Sequence, residues 1–429
     1  MKEFVYSNDK GKIIDFLLPK FMMDEAVEVV DYIVLNIIRD VAKQGDKALI
    51  KYTKKFDKVD LNKIGIRMDE SEIKKYYDKT NKDLIRSLET AAQRIEEFHK
   101  HQLRKDWKIK EDSGIELTQR YIPLERVGIY VPGWKASYPS SVLMNAIPAK
   151  VAGVKEIVMT SPFSQSGEVN TAVYAAAYVC GIKEIYKIGG AQAIAALALG
   201  TESVPKVDKV VGPGNKYVAS AKKLVYGIID IDMIAGPSEI LIIADGSAPI
   251  EYIAADMLSQ AEHDEDATAI TILIGDCDVQ AIKKEIIDQS VSSPRSPIIR
   301  KSLKQNGAII SVDTVEDAVE LANLKAPEHL EMMFKGADRY VSQIKNAGAI
   351  FVGRYTPEAI GDYVAGPNHV LPTGGTARFF SPLGVDDFVK KNHVVKFSEE
   401  ALVKLSKPTI KIAEEEGLFG HANSIKVRL

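Results

Sequence analysis

Seven histidines occur in the 429 residues, and His263, His329, His369 and His421 stand beside other groups that can bind a metal or move a proton. Gln260 and His263 lie three apart at the end of an expected helix, so their side chains share a face and can meet at one metal ion. The same pair can equally finish a helix, the imidazole bonding its last carbonyls. Glu328 and His329 follow Pro327. Proline at the first helical position would put both in a first turn, where the macrodipole favours a carboxylate and disfavours an imidazolium. A neutral imidazole beside a carboxylate suits a general base near pH 7, and a plain capping arrangement is the other reading. Asp362 stands in a Gly/Pro-rich stretch of loop character running to Thr373, where an Asx-turn would also use it. His421 follows Gly417-Leu418-Phe419-Gly420 near the C-terminus.

A second set of candidates is glycine-rich. No GxGxxG and no GxxxxGK[ST] occurs, so neither the dinucleotide fingerprint nor the P-loop is present. Gly189-Gly190-Ala191-Gln192-Ala193 and Gly212-Pro213-Gly214-Asn215 each sit where a strand hands over to a helix. Either can bring backbone N–H groups to an anion, and either can be a tight turn with no ligand.

These groups must be held by the elements around them. Residues 21 to about 105 carry apolar residues at helical spacing, as in Val27, Val30, Ile33, Val34 and Ile37, then Leu84, Leu88, Ala91, Ile95 and Phe98. From about residue 127, β-branched runs alternate with Ala-rich stretches. The spacing predicts strands at Val127–Val131, Glu156–Thr160, Glu184–Ile188 and Lys209–Val211, with helices at about 170–180, 191–199 and 216–226. A second series places strands at Ile240–Ile243, Ala269–Ile274, Ala308–Val312 and Ala349–Val352, with helices between them. This βαβ rhythm implies two parallel α/β sheets in tandem. Residues 396–417 form one further helical pattern, too short for a core of its own, which must pack on the body of the chain or on a partner.

Composition narrows the function. Lys and Arg total 56 against 59 Asp and Glu, and no basic run stands out, which gives nucleic acid or an anionic membrane no footprint. No apolar run approaches the ~18 residues of a membrane span, and the expected location is the cytoplasm. Two cysteines, Cys180 and Cys277, make neither a disulfide framework nor a CxxC metal site.

Taken together, the segments resemble one family in its order over nearly the whole chain. They are Gly128-Ile129-Tyr130-Val131-Pro132-Gly133, the two glycine turns, Ala235-Gly236-Pro237-Ser238-Glu239, Ser259-Gln260-Ala261-Glu262-His263, Ala326-Pro327-Glu328-His329-Leu330-Glu331, Gly366-Pro367-Asn368-His369-Val370-Leu371-Pro372-Thr373 and Glu416 to His421. The sequence resembles the histidinol dehydrogenases. The resemblance implies two incomplete Rossmann-like domains: residues 22–130 with 238–383 carrying most of the metal and catalytic site, and 131–237 binding NAD. Residues 1–21 would be a helical extension, and 384–429 a tail exchanged between the subunits of a homodimer.

It further implies one zinc ion per subunit on Gln260, His263, Asp362 and, from the partner subunit, the residue at position 421; Glu328 and His329 as the proton-transfer pair; and Tyr130, Gln192 and Asn215 against the dinucleotide. Ser238 and Glu416 would contact substrate together with Gln260, His263, His329, Asp362 and His421. The activity implied is oxidation of L-histidinol to L-histidine in two hydride transfers to NAD. The aldehyde formed first must be hydrated before a second hydride can leave, since it has no C–OH of its own. The competing readings are a zinc-dependent hydrolase, in which Glu328 activates metal-bound water, a binding protein without catalysis, and a dehydrogenase of another amino alcohol.

Overall fold

The computed structural model describes residues 1–18, 25–133, 138–163 and 171–429. Fifteen strands occur among them: β1 Lys2–Val5, β2 Arg67–Asp69, β3 Trp107–Lys110, β4 Ile115–Pro123, β5 Arg126–Tyr130, β6 Glu156–Thr160, β7 Glu184–Tyr186, β8 Lys209–Val211, β9 Asp230–Ile231, β10 Glu239–Asp245, β11 Thr268–Ile274, β12 Ala308–Val312, β13 His329–Met333, β14 Ala349–Val352 and β15 Val389–Phe397. They form two six-stranded sheets, ordered β1-β12-β11-β10-β13-β14 and β2-β7-β6-β5-β8-β9, and a three-stranded sheet β15-β4-β3. The first is parallel throughout, and the second is parallel except for β2 against β7.

The central strands are unbroken apolar runs because helices cover both of their faces. Ile240, Leu241, Ile242, Ile243 and Ala244 are all buried, with alternate residues serving two different core clusters. In each large sheet the order reverses once. The chain steps from β5 through β6 to β7 and then returns to the other side of β5 as β8; likewise it steps from β10 to β12 and returns beside β10 as β13. Such reversals open a crevice between neighbouring strands, the usual place for a ligand in open α/β sheets.

The tandem parallel sheets expected from the sequence are present, but the segments divide between them differently. Segment 22–130 does not join 238–383: its strands β2 and β5 pair with β7, β6 and β8, in the sheet of residues 131–237. Helix Lys82–Lys100 buries Leu88, Ala91 and Ile95 in the core of that sheet as well. Residues 1–18 of the expected 1–21 extension are not a separate helical unit, and 19–21 lie outside the described residues. β1 is the edge strand beside β12, and helix Tyr6–Leu17 buries Ile13 and Leu17 against the same sheet.

The tail begins later than residue 384, since Leu383, Val385 and Phe388 are still buried in the core around helix Pro139–Ala152. Beyond them β15 lies antiparallel to β4, and helices Glu399–Glu415 and Phe419–Lys426 pack on each other. That small sheet and helix Pro139–Ala152 are elements the sequence pattern did not announce. No described helix is long and apolar enough to cross a membrane.

Candidate active site

The first cluster lies at the amino-terminal edge of the β10–β13 pair, opposite to the carboxyl edge where open sheets usually bind. His329 opens β13 and pairs in register with Ile240, one residue into β10. The main chain of Glu239 therefore meets both catalytic candidates. Its N–H donates to Glu328 Oε2 at 2.8 Å, and its carbonyl accepts from His329 Nδ1 at 3.1 Å. A carbonyl can only accept, so Nδ1 carries the hydrogen and Nε2 is the atom left to act as base. Nε2 is buried, has no hydrogen-bond partner among the described residues, and faces Asp362 Oδ1 at 3.6 Å.

The expectation that Pro327 begins a helix is corrected here. Helix Val315–Lys325 ends at Ala326 with φ +50°, and the chain enters β13 at His329. The neutral tautomer is thus set by a carbonyl rather than by a macrodipole.

Charge around His329 is unbalanced. Burial pushes the Glu328 carboxyl up to about 8, although His329 and the Glu239 N–H oppose the shift. Burial lowers the His329 imidazole, but the carboxylates of Glu328, Asp362 and Glu358 outweigh it and bring the ring up to about 10. Burial raises Asp362 too, yet the imidazoles of His329, His369 and His263 hold it down to about 2.

A group of ligand atoms beside this pair is where a cation fits. His263, Glu358 and Asp362 bring one ligand atom each to within 4.8 Å of one another. Gln260, fully buried in the last turn of helix Ile250–Ala261, has both amide atoms unpartnered among the described residues. His263 lies just past that helix, exposed at its rim, and its N–H bonds the Gln260 carbonyl at 3.2 Å. Oxygen and imidazole donors of this kind suit zinc. A cation bound to Asp362 would also withdraw charge that now holds a proton on His329, moving the ring towards the neutral form.

Asp362 does not sit in a loop but in helix Glu358–Tyr363, and Glu358 stands four residues before it on the same face. Glu358 is the acidic neighbour that the sequence reading passed over, and this i,i+4 spacing is the signal that could have found it. It is held by Ser259 Oγ, which donates to Oε2 at 3.0 Å, and by its own N–H on Glu331 Oε1 at 2.6 Å. Behind it burial raises Asp256 to about 6 and Glu331 well above its ordinary range. Ser238 immediately precedes Glu239 and is half-buried. Glu416 and His421 are exposed on the tail, and His421 is not part of the metal-ligand cluster of its own chain.

The second cluster occupies the carboxyl edge of the other sheet, at the reversal between β5 and β8. Tyr130 ends β5, and its hydroxyl accepts from the Gly190 N–H at 3.1 Å; burial pushes that hydroxyl up to about 12. Gln192, in the first turn of helix Gly190–Leu199, is buried with both amide atoms unpartnered among the described residues. Gly212 follows β8 with φ +122°, and a Cβ there would lie 2.1 Å from the Tyr130 carbonyl oxygen. Asn215 caps helix Lys216–Val225, its Oδ1 accepting from Tyr217 N and Val218 N. Tyr130 thereby touches both glycine turns, and Tyr130, Gln192 and Asn215 line one edge. Two backbone turns with an unanswered buried amide between them suit a polar ligand such as a dinucleotide.

Neither thiol is an activated nucleophile. Burial pushes Cys180 up to about 12, and burial with Asp245 and Asp276 raises Cys277.

Two parallel sheets, one with a base and carboxylate cluster and the other with glycine turns at its switch point, define a two-domain α/β enzyme. The sequence profile of the family described as Histidinol dehydrogenase matches residues 22–429. The chain is 53% identical over 392 residues to a histidinol dehydrogenase of Clostridium acetobutylicum, covering 91% of this chain and 90% of the relative. It is 54% identical over 393 residues to one of Caldanaerobacter subterraneus, covering 92% and 91%. A crystal structure of histidinol dehydrogenase from Elizabethkingia anophelis superposes with a TM-score of 0.91 at 38% identity, covering 100% of this chain and 98% of that one. The chain belongs to the histidinol dehydrogenase family and is an oxidoreductase of histidine biosynthesis.

Proposed function

We propose that the chain oxidises L-histidinol to L-histidine through L-histidinaldehyde, as a cytoplasmic homodimer with NAD as hydride acceptor and one zinc ion per subunit. The observation that carries this reading is His329 Nε2, a buried nitrogen without a hydrogen-bond partner among the described residues, set between Glu328 and a metal-ligand cluster. Gln260, His263 and Asp362, with His421 supplied by the partner subunit's tail, would hold the zinc; bound there, it would orient the substrate through the substrate's imidazole and amino nitrogens.

His329 Nε2 takes the hydroxyl proton of the alcohol as hydride leaves the carbon, while Nδ1 stays bonded to the Glu239 carbonyl and keeps the ring in place. Glu328, which burial makes a stronger base than an ordinary carboxylate once it is ionised, takes a proton from the water that hydrates the aldehyde, while His329 returns the proton it took from the alcohol to the aldehyde oxygen and is neutral again. His329 then repeats its role on the hydrate. Ser238 and Glu416 would complete the substrate's contacts. Tyr130, Gln192 and Asn215 would bind the dinucleotide, with backbone N–H groups of the two turns near its phosphates.

The experiment is NADH production by purified, zinc-loaded protein from limiting L-histidinol and excess NAD⁺. The expected yield is two NADH per histidinol. One would mean an alcohol dehydrogenase that stops at the aldehyde, and none would remove the reading.

A further inference from the structure

Lys222 and Asp232 form a buried ion pair, their side chains 4% and 1% exposed, beside the turn that follows β8. A buried pair contributes little net stability compared with apolar residues of similar volume, because desolvating both charges offsets their attraction. What distinguishes this pair is where its remaining bonds go. Asp232 Oδ2 accepts from the Gly212 N–H at 2.8 Å, and Lys222 Nζ donates to the Gly212 carbonyl at 3.1 Å. Asp232 Oδ1 also accepts from Met233 N at 2.7 Å. Both main-chain groups of one glycine are thus held by the two ends of one ion pair.

Gly212 is the residue whose Cα lies against the Tyr130 carbonyl, in a conformation with φ +122°. It opens the turn that ends at Asn215, where Oδ1 is occupied by two helix N–H groups and the amide Nδ2 is the donor left for a ligand. Lys222 stands in the helix that Asn215 caps, and Asp232 directly follows β9, so the pair ties together the strand, turn and helix of the dinucleotide edge.

We propose that Lys222 and Asp232 are positioning residues for the dinucleotide: by clamping Gly212 at both main-chain groups they hold the Gly212–Asn215 turn in its binding geometry. This rests on the reading of that edge as the NAD site. Neither side chain touches the ligand; they act by keeping the turn from relaxing when no ligand is present, so that binding has no reordering of the turn to offset.

The test is calorimetric titration of NAD⁺ into zinc-loaded wild type, Asn215→Ala, Lys222→Met, Asp232→Asn and the double variant Lys222→Met/Asp232→Asn, with zinc content, Tm and KM for L-histidinol measured alongside. The double variant removes both charges and leaves neither buried alone. Folded clamp variants should bind NAD⁺ at least tenfold more weakly, while zinc content and KM for L-histidinol stay within twofold of wild type. A merely structural pair would lower Tm and leave the Kd for NAD⁺ of the folded protein unchanged, and that result overturns the proposal. So does failure of every clamp variant to fold, which would make the pair a determinant of folding. If wild type does not bind NAD⁺, or Asn215→Ala binds it as wild type does, the dinucleotide reading itself falls; if both behave as expected and only the clamp variants bind normally, the clamp alone falls.

Discussion

At the residue scale the site separates two proton transfers between two neighbours. His329 and Glu328 are adjacent in sequence, but the start of β13 falls between them, so each meets a different main-chain group of Glu239. In the proposed mechanism His329 would be the base for both oxidations, whereas Glu328 would be required only where water must be activated. His329→Asn should therefore slow both half-reactions by about 10²–10⁴-fold, the usual worth of a positioned base. Glu328→Gln should slow oxidation of L-histidinaldehyde by at least tenfold more than oxidation of L-histidinol, measured in single-turnover runs started from each compound. Equal losses would show that the two residues work as one unit. The residue types at these positions were legible in the sequence because so few histidines occur and four of the seven stand beside other groups that can bind a metal or move a proton. Glu358 was passed over, since its i,i+4 spacing to Asp362 counts only when both lie on one helix, and the sequence reading had put Asp362 in a loop. The Lys222–Asp232 pair was equally hidden, being ten residues apart and brought together, with Gly212 between their remaining bonds, only by the fold.

At the element scale eight parallel strands were read to within a few residues, with β1, β9 and β13 missed, because burial on both faces leaves a short β-branched run that little else resembles. Glu156–Thr160, Ala308–Val312 and Ala349–Val352 agree with the expected spans. β3, β4 and β15 escaped since they are mixed in character and β3 and β15 face solvent; every residue of β15 after Val389 is exposed, and β4 is mostly half-buried. Pro327-Glu328-His329 misled for a local reason. Proline begins helices, but it also follows a helix end, and here the left-handed Ala326 stops one helix just before the strand. The N-terminal segment was read as an extension because a four-residue edge strand carries too little pattern to betray its pairing. Its burial makes it part of the first sheet. Ile13→Ala should cost about 2–5 kcal/mol, as for other fully buried large aliphatics cut to alanine, and should appear as a lower urea midpoint with an unchanged slope. A shift below about 0.5 kcal/mol, the usual range for surface substitutions, would return these residues to the status of an appendage.

At the scale of the whole molecule the tail is the part that does not close on itself. Its two helices bury Ala401, Ala413 and Ala422, small residues at a close helix contact, while Val403, Ile412, Phe419, Val427 and Leu429 remain exposed. That apolar surface carries Glu416 and His421, and neither reaches the carboxylate cluster of its own chain by the geometry seen here. A tail donated across a two-fold axis would cover the apolar surface and deliver the fourth zinc ligand together, and isologous symmetry would make the two sites equivalent. The consequence is quantitative. In a dimer of one His421→Asn chain and one His263→Asn chain, the first chain's body keeps Gln260, His263 and Asp362 and receives an intact tail; the other site lacks both imidazoles. Random exchange makes half of the dimers mixed, each with one working site, so an equimolar mixture should recover about one quarter of wild-type activity and zinc content, from two parents that are each nearly inactive. If the residue at 421 served its own chain, each site would carry one of the two lesions whichever partner it had, and exchange confirmed by mass spectrometry would restore nothing.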